Sequence, residues 1–159
     1  MNILVWIANI LGWPAIHIAI SAVSLRLPAE RFAQDNWITA PRSWEGGGRV
    51  YKDWFRIRKW KQMLPDGAPW LRGFSKKKLN ARDPGYLAQF LVETRRAEIA
   101  HWCMLACFPI FFPWNPPWAC CVMFAYAVAV NLPCIVAQRY NRMAITRLVS
   151  NRSESVARP

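Results

Sequence analysis

Residues 1–25 and 102–138 contain no Asp, Glu, Lys or Arg, and every charged side chain lies in 26–98 or 139–158. The first uncharged stretch is apolar for about 25 residues, enough at 1.5 Å per residue to cross roughly 30 Å of hydrocarbon. It has no basic start and no small-x-small cleavage site, so the pattern predicts a retained membrane helix over 3–25, with Pro14 as a kink. The second apolar region, 99–138, is too long for one helix. Pro109, Pro113 and Trp114-Asn115-Pro116-Pro117-Trp118 interrupt it. Two spans, 98–112 and 118–138, joined by a tight turn with an aromatic belt, account for it. Asp83-Pro84 reads as N-cap and first turn of a helix that runs into the second span.

The loop 26–97 and the tail 139–159 hold the remaining sequence. Arg49 to Leu64 places apolar residues at 50, 54, 57 and 64 among Arg49, Lys52, Arg56, Arg58, Lys59 and Lys61. That pattern predicts a basic amphipathic helix lying on an anionic leaflet. Gly46-Gly47-Gly48 stops what precedes it, and Pro65-Asp66-Gly67 turns the chain after it. The expected fold is therefore an all-α membrane protein, a single integral domain over 1–159 with about three spans and one interfacial helix.

Composition changes the picture at one point. The 159 residues carry 21 Lys and Arg against 9 Asp and Glu, with 54% hydrophobic residues and 10 Trp. A net charge of +12 on a soluble chain would suggest nucleic acid. Here 16 basic and 8 acidic residues fall in 26–98, and 5 basic and 1 acidic in 139–159. With three spans, loop and tail share a side, and the excess of Lys and Arg makes it cytoplasmic, with the N-terminus outside. The charge is a topology signal, and no nucleic-acid partner is expected. A bacterial-type plasma membrane is the expected location. The five Cys (103, 107, 120, 121, 134) have no metal spacing and read as packing residues, with no metal expected. A thin bundle of three spans leaves room for a homo-oligomer.

Polar groups inside the apolar stretches are the candidates for chemistry, because they are costly to place there. His101 stands about one turn inside the second span. Glu98 and Glu93 lie within about 80° of its face, so either carboxylate could orient the imidazole as a general base. The bland alternative is an imidazole reaching toward headgroups. Arg95 and Arg96 beside it could hold an anionic ligand or anchor lipid. His17 and Asn131 lie about 12 Å and 10 Å from the inner ends of their spans. With His101 they suggest a polar cavity, though helix-packing hydrogen bonds explain them equally. Gln138-Arg139-Tyr140-Asn141-Arg142 could bind phosphate or carbohydrate, or act as a cationic anchor. Lys76 and Lys77 could meet nucleotide phosphates or form a solvated run. Asp66 fits either substrate binding or a turn. No P-loop, GxSxG or HExxH is present.

Several stretches resemble one family in consistent order. They are Arg42-Ser43-Trp44-Glu45-Gly46, Trp60-Lys61-Gln62-Met63-Leu64-Pro65-Asp66-Gly67-Ala68 and Gly73-Phe74-Ser75-Lys76-Lys77. Glu93-Thr94-Arg95-Arg96-Ala97-Glu98-Ile99-Ala100-His101-Trp102, Trp114-Asn115-Pro116, Asn131-Leu132-Pro133-Cys134-Ile135 and Gln138 to Arg142 complete them. Over about 42–142 the chain resembles the small membrane-bound glycosyl-4,4'-diaponeurosporenoate acyltransferases of staphyloxanthin-type carotenoid biosynthesis. The resemblance implies transfer of a fatty acyl group from a thioester donor, such as acyl-CoA, to a sugar hydroxyl of a glycosylated lipid. Apart from that co-substrate no cofactor is expected, and the partners are membrane lipids, acyl donor and glycolipid acceptor. On this reading His101 deprotonates the acceptor, and Arg96, Asn131 or Tyr140 stabilises the oxyanion. An acyl-Cys intermediate at Cys103, Cys107 or Cys134 is the second chemistry. A non-enzymatic lipid-binding or scaffolding subunit is the rival from another class.

Overall fold

A computed structural model describes residues 2–64 and 83–157, with side chains to 151. Asp66, Lys76 and Lys77 lie outside the described residues. Five helices and four short 3-10 segments make up the regular structure described, with no strand among those residues. Helix α1 is Ile3–Arg26, capped by the Asn2 side chain accepting from Val5 N at 3.0 Å. Two short helices follow, α2 at Arg49–Asp53 and α3 at Ile57–Trp60. Helix α4 is Pro84–Ala106 and α5 is Pro117–Ala157. Asp83 caps α4 through Gly85 N and Tyr86 N, with Pro84 in the first turn where its missing N–H costs nothing.

α1, the α4 region to Trp114, and α5 are each long and apolar enough to cross a membrane. Their outer faces suit lipid: Ile3, Leu4, Ile10, Leu11, Ile18 and Val23 of α1 are all more than half exposed. Such a row would be an aggregation liability in water. α4 and α5 form the main hairpin, and α1 packs on α4. A 3-10 segment, Phe108–Trp114, closes the hairpin because Pro109 and Pro113 deny it regular α-helical bonding. α5 does not end near 138 as the charge boundary suggested. It runs on to Ala157, because its polar half has its own packing partners.

α1 docks through one stripe, Asn9, Trp13 and His17, spaced at i, i+4 and i+8. Trp13 stacks on Phe111 at 4.9 Å between ring centroids, and its Nε1 donates to Met123 Sδ at 3.3 Å. Gly12 makes that approach fit, since a Cβ there would lie 2.9 Å from the Phe111 ring. At the hairpin end Asn9 and Asn115 exchange amide hydrogen bonds of 2.8 and 2.9 Å, and Trp114 Nε1 donates to Asn9 Oδ1 at 3.0 Å.

The expected amphipathic helix over 49–64 is broken instead into α2, α3 and a 3-10 turn, Lys61–Met63. Arg56 takes a left-handed conformation, φ 46°, which ends the helical path. The break lets two separate residues, Tyr51 and Ile57, enter one core with Val136, Ala137, Tyr140 and Met143 of α5. Trp54 and Met63 are left more than 80% exposed.

Candidate functional site

Two polar centres lie between the helices. The deeper one joins α1, α4 and α5. His101 Nδ1 meets Asn131 Oδ1 at 3.0 Å. Asn131 Nδ2 donates to the Ala127 carbonyl at 2.9 Å, one turn back on α5. That bond fixes the amide with its oxygen toward α4. The hydrogen-bond network therefore assigns the imidazole proton to Nδ1 and its lone pair to Nε2. The Asn131 side chain also interacts with His17. His17 Nε2 is buried with no hydrogen-bond partner among the described residues. The His17–Asn131 side-chain interaction puts the two residues at one level of the bundle.

The second centre sits nearer the loop and is built from charge. Arg139 uses all five guanidinium N–H groups. Its Nε donates to Glu45 Oε1 at 2.6 Å; Nη1 donates to Glu98 Oε1 at 2.5 Å and to Ile38 O at 2.9 Å. Nη2 donates to Glu45 Oε2 at 3.0 Å and to Ala40 O at 2.9 Å. Arg142 Nη1 pairs with Glu98 Oε2 at 2.6 Å, and Nη2 donates to Thr39 O at 2.5 Å. Asp35 lies 3.5 Å from Arg142 Nε and 2.8 Å from Arg95 Nε. Glu45 and Glu98 are fully buried and Arg142 is 1% exposed. Tyr51 OH and Arg42 N also donate to Glu45. Burial pushes the Glu45 carboxyl up, but the hydrogen bonds from Arg139, Tyr51 and Arg42 outweigh it and hold the group below its ordinary value of 4.5. Asp35 follows the same balance: burial raises it, and Arg95 and Arg142 bring it below its ordinary 3.8. Burial and the adjacent Glu45 carboxylate push the Tyr51 hydroxyl up, so it stays protonated as a donor.

The geometry redistributes the candidate residues. His101, Asn131 and His17 come together. Glu98 does not take the orienting part beside His101, because its two oxygens face Arg139 and Arg142. The Asn131 amide stands beside the imidazole instead. Glu93 accepts from Gln89 at 2.9 Å and pairs with Arg96 at 3.3 Å. Arg95 and Arg96 hold the segment after α1: Arg95 binds Asp35 and Ala33 O, and Arg96 reaches Leu27 O and lies over the Phe32 ring. Arg139 and Arg142 are internal ties rather than an open cationic surface. Tyr140 is nine residues from Asn131, about 180° around α5, so it cannot share the His101 site. Its hydroxyl accepts from Arg58 Nε at 3.0 Å, and Asn141 Oδ1 accepts from Lys61 Nζ at 3.0 Å. Gln138 lies on the Asn131 side of α5 and is half-buried. Glu45 and Asp35 are the participants that the pattern of candidates missed. The signal was charge balance: two arginines three residues apart on an apolar helix need more acid than Glu98 supplies.

A family model described as glycosyl-4,4'-diaponeurosporenoate acyltransferase matches residues 34–151. The protein of that name from Staphylococcus aureus (strain bovine RF122 / ET3-1) is 30% identical over 139 residues, covering 86% of this chain and 83% of the relative. The one from Staphylococcus haemolyticus (strain JCSC1435) is 31% identical over 131 residues, covering 82% and 76%. No solved structure matches the chain.

Proposed function

The chain belongs to the glycosyl-4,4'-diaponeurosporenoate acyltransferase family and is an acyltransferase; from that premise we propose that it moves a fatty acyl group from acyl-CoA to a sugar hydroxyl of a glycosylated lipid, with His101 as base. The relatives' name points to a glycosyl carotenoid as the acceptor. The observation that carries the assignment is the His101–Asn131 pair, with the amide locked on Ala127. A half-buried imidazole with Nδ1–H held by a fixed acceptor presents Nε2 as the proton acceptor.

The acceptor hydroxyl gives its proton to His101 Nε2 while its oxygen bonds to the thioester carbonyl carbon. The tetrahedral intermediate then expels the thiolate, which takes the proton back from the imidazolium. We assign the oxyanion to the His17 imidazole in the tautomer that carries its proton on Nε2, an atom with no partner among the described residues. An unpaired buried polar atom is costly, and a ligand oxygen would satisfy it. Arg139 and Arg142 hold the loop over this chemistry without contacting substrate.

Purified protein is incubated with palmitoyl-CoA and a panel of glycolipids that includes a glycosyl carotenoid, and ester product is followed by mass spectrometry. His101→Ala is expected to lower turnover by about 10²–10⁴-fold. Asn131→Ala should both lower turnover and move the acid limb of the pH–rate profile, because it acts through the imidazole. Near-normal turnover in His101→Ala would remove the base assignment. Loss of turnover in a Cys103, Cys107 or Cys134→Ser variant would favour the acyl-Cys route instead.

A further inference from the structure

The outer face of α5 carries a feature that the His101 centre does not use. An apolar groove of about 290 Å³ lies between that face and the loop. Its floor is Val128, Leu132, Pro133 and Val136, and its roof is Phe55 and Trp60. Trp60 Nε1 donates to Phe55 O at 2.7 Å, which ties the two roof residues together. The floor lies 11–19 residues beyond Pro117. That is about 17–29 Å along the helix, within the hydrocarbon layer.

One end of the groove is cationic. Tyr140 lies four residues past Val136, one turn further along the same face, about 6 Å on. Arg58 Nε donates to its hydroxyl, and Lys61 Nζ stands 5.0 Å from its ring while donating to Asn141. Two cations are thus held side by side where the apolar floor ends and the interface begins. Each uses one N–H in these contacts, out of five for arginine and three for lysine. Residues 49–61 carry six basic groups and one acid, Asp53.

We infer that this groove is a binding site for an anionic phospholipid of the bilayer, with one acyl chain along Val128–Val136 and the phosphate on Arg58 and Lys61. The sequence of surfaces, apolar for most of its length and then doubly cationic at the interface, matches a chain ending in a phosphate. The volume fits a hydrocarbon chain better than a partner helix, two turns of which at a diameter of about 10 Å would fill about 850 Å³. Acyl-CoA shares this chemistry, but Pro133 and Val136 stand about 160° and 140° around α5 from Asn131. A thioester at the groove mouth would be on the far side of the helix from His101. The site therefore stands apart from the proposed reaction centre, and its test needs no turnover.

The full-length protein is placed in nanodiscs of phosphatidylcholine with roughly one-fifth phosphatidylglycerol, and retained lipids are counted by native mass spectrometry after release. One retained phosphatidylglycerol is expected in the wild type. The double variant Arg58→Gln/Lys61→Gln should retain about tenfold less. Leu132→Trp, which fills the floor, should lose it as well, with helicity by circular dichroism unchanged. Lys52→Gln, an exposed charge on the same segment, should retain it. Equal retention in the double variant would overturn the site. An equal loss in Lys52→Gln would reduce it to diffuse charge attraction, and overturn it too. Displacement of the bound lipid by palmitoyl-CoA would reassign the groove to the donor.

Discussion

The side chains that looked most like ligand contacts, Arg139 and Arg142, are instead internal ties: Arg139 has an acceptor for each of its five donors, and Arg142 is held by ion pairs to Glu98 and Asp35 and one hydrogen bond to Thr39 O. A cationic anchor at a membrane boundary normally keeps its head in water. These two are buried because Glu45, Glu98 and three consecutive carbonyls, Ile38 to Ala40, surround them with acceptors, five of them on Arg139. Removing one partner of such a set leaves the others charged and unpaired. Arg139→Gln is therefore expected to cost about 3–5 kcal/mol, read from thermal unfolding in detergent. Adding Glu45→Gln to it should recover part of that loss, because one stranded carboxylate is gone. A single variant within about 1 kcal/mol of wild type would show that the ties are dispensable. The pH dependence follows from the same residues. Glu45 and Asp35 titrate below their ordinary values in the folded protein, so their contribution is complete above about pH 4.5 and is lost as pH falls below it. The unfolding temperature should be level above about pH 5 and fall on the acid side, less steeply in Glu45→Gln. At this scale the meeting of His101 and Asn131 was legible, since rare polar groups in apolar stretches stand out. It was misleading for Glu98, because proximity along α4 to His101 carried no information about two arginines 41 and 44 residues away.

The three apolar helices were legible because length and the absence of charge are properties of the chain alone. The helix entering at Asp83-Pro84 was legible for the same local reason, a cap and a first-turn proline. The 49–64 segment was not. Its charge pattern fits a surface helix, but long-range packing of Tyr51 and Ile57 against α5 overrides it and bends the chain at Arg56. The end of α5 was also hidden, since a charge boundary marks where lipid stops rather than where a helix stops. How α1 attaches is the element-level question with the sharpest test. Its inner stripe carries Asn9, and this one amide bridges Asn115 and Trp114. Asn9→Ala strands the Trp114 indole N–H and half of the Asn115 amide in an apolar setting. The expected cost is about 1–2 kcal/mol. Easier proteolysis of the segment after α1 in detergent, with α4 and α5 still resistant, would be its signature. An unchanged digestion pattern would mean that Trp13 and Phe111 hold α1 without the amides.

At the scale of the whole molecule, one arrangement explains why the charge is segregated. The ion-paired centre, the short helices α2 and α3 and the far half of α5 all gather at the same end of the α4–α5 hairpin. The opposite end holds, among the polar contacts of the described residues, the neutral clamp of Asn9, Trp114 and Asn115. Sequence counting placed 26–98 and 139–159 on one side without any knowledge of contacts, and the contacts give a separate reason: Glu45 of the loop and Arg139 of α5 are bonded, so they cannot lie on opposite sides of a bilayer. What remains is which side. Of the net charge of +12, internal pairs neutralise Glu45, Glu98 and Asp35, while Arg56 and Lys59 face outward from the loop and Arg58 and Lys61 lie along Tyr140 and Asn141 of α5. An exposed basic excess next to a span is retained on the cytoplasmic side. Reporter fusions at the C-terminus should therefore be active only when the reporter folds in the cytoplasm, and a fusion before Asn2 should show the opposite behaviour. Because the hairpin ties loop and tail together, a chain in which both ends reported the same side would place α1 in the interface and leave two spans. That outcome would also detach His17 from the depth of Asn131, so the fusion experiment bears directly on whether the three-helix polar centre exists in the membrane.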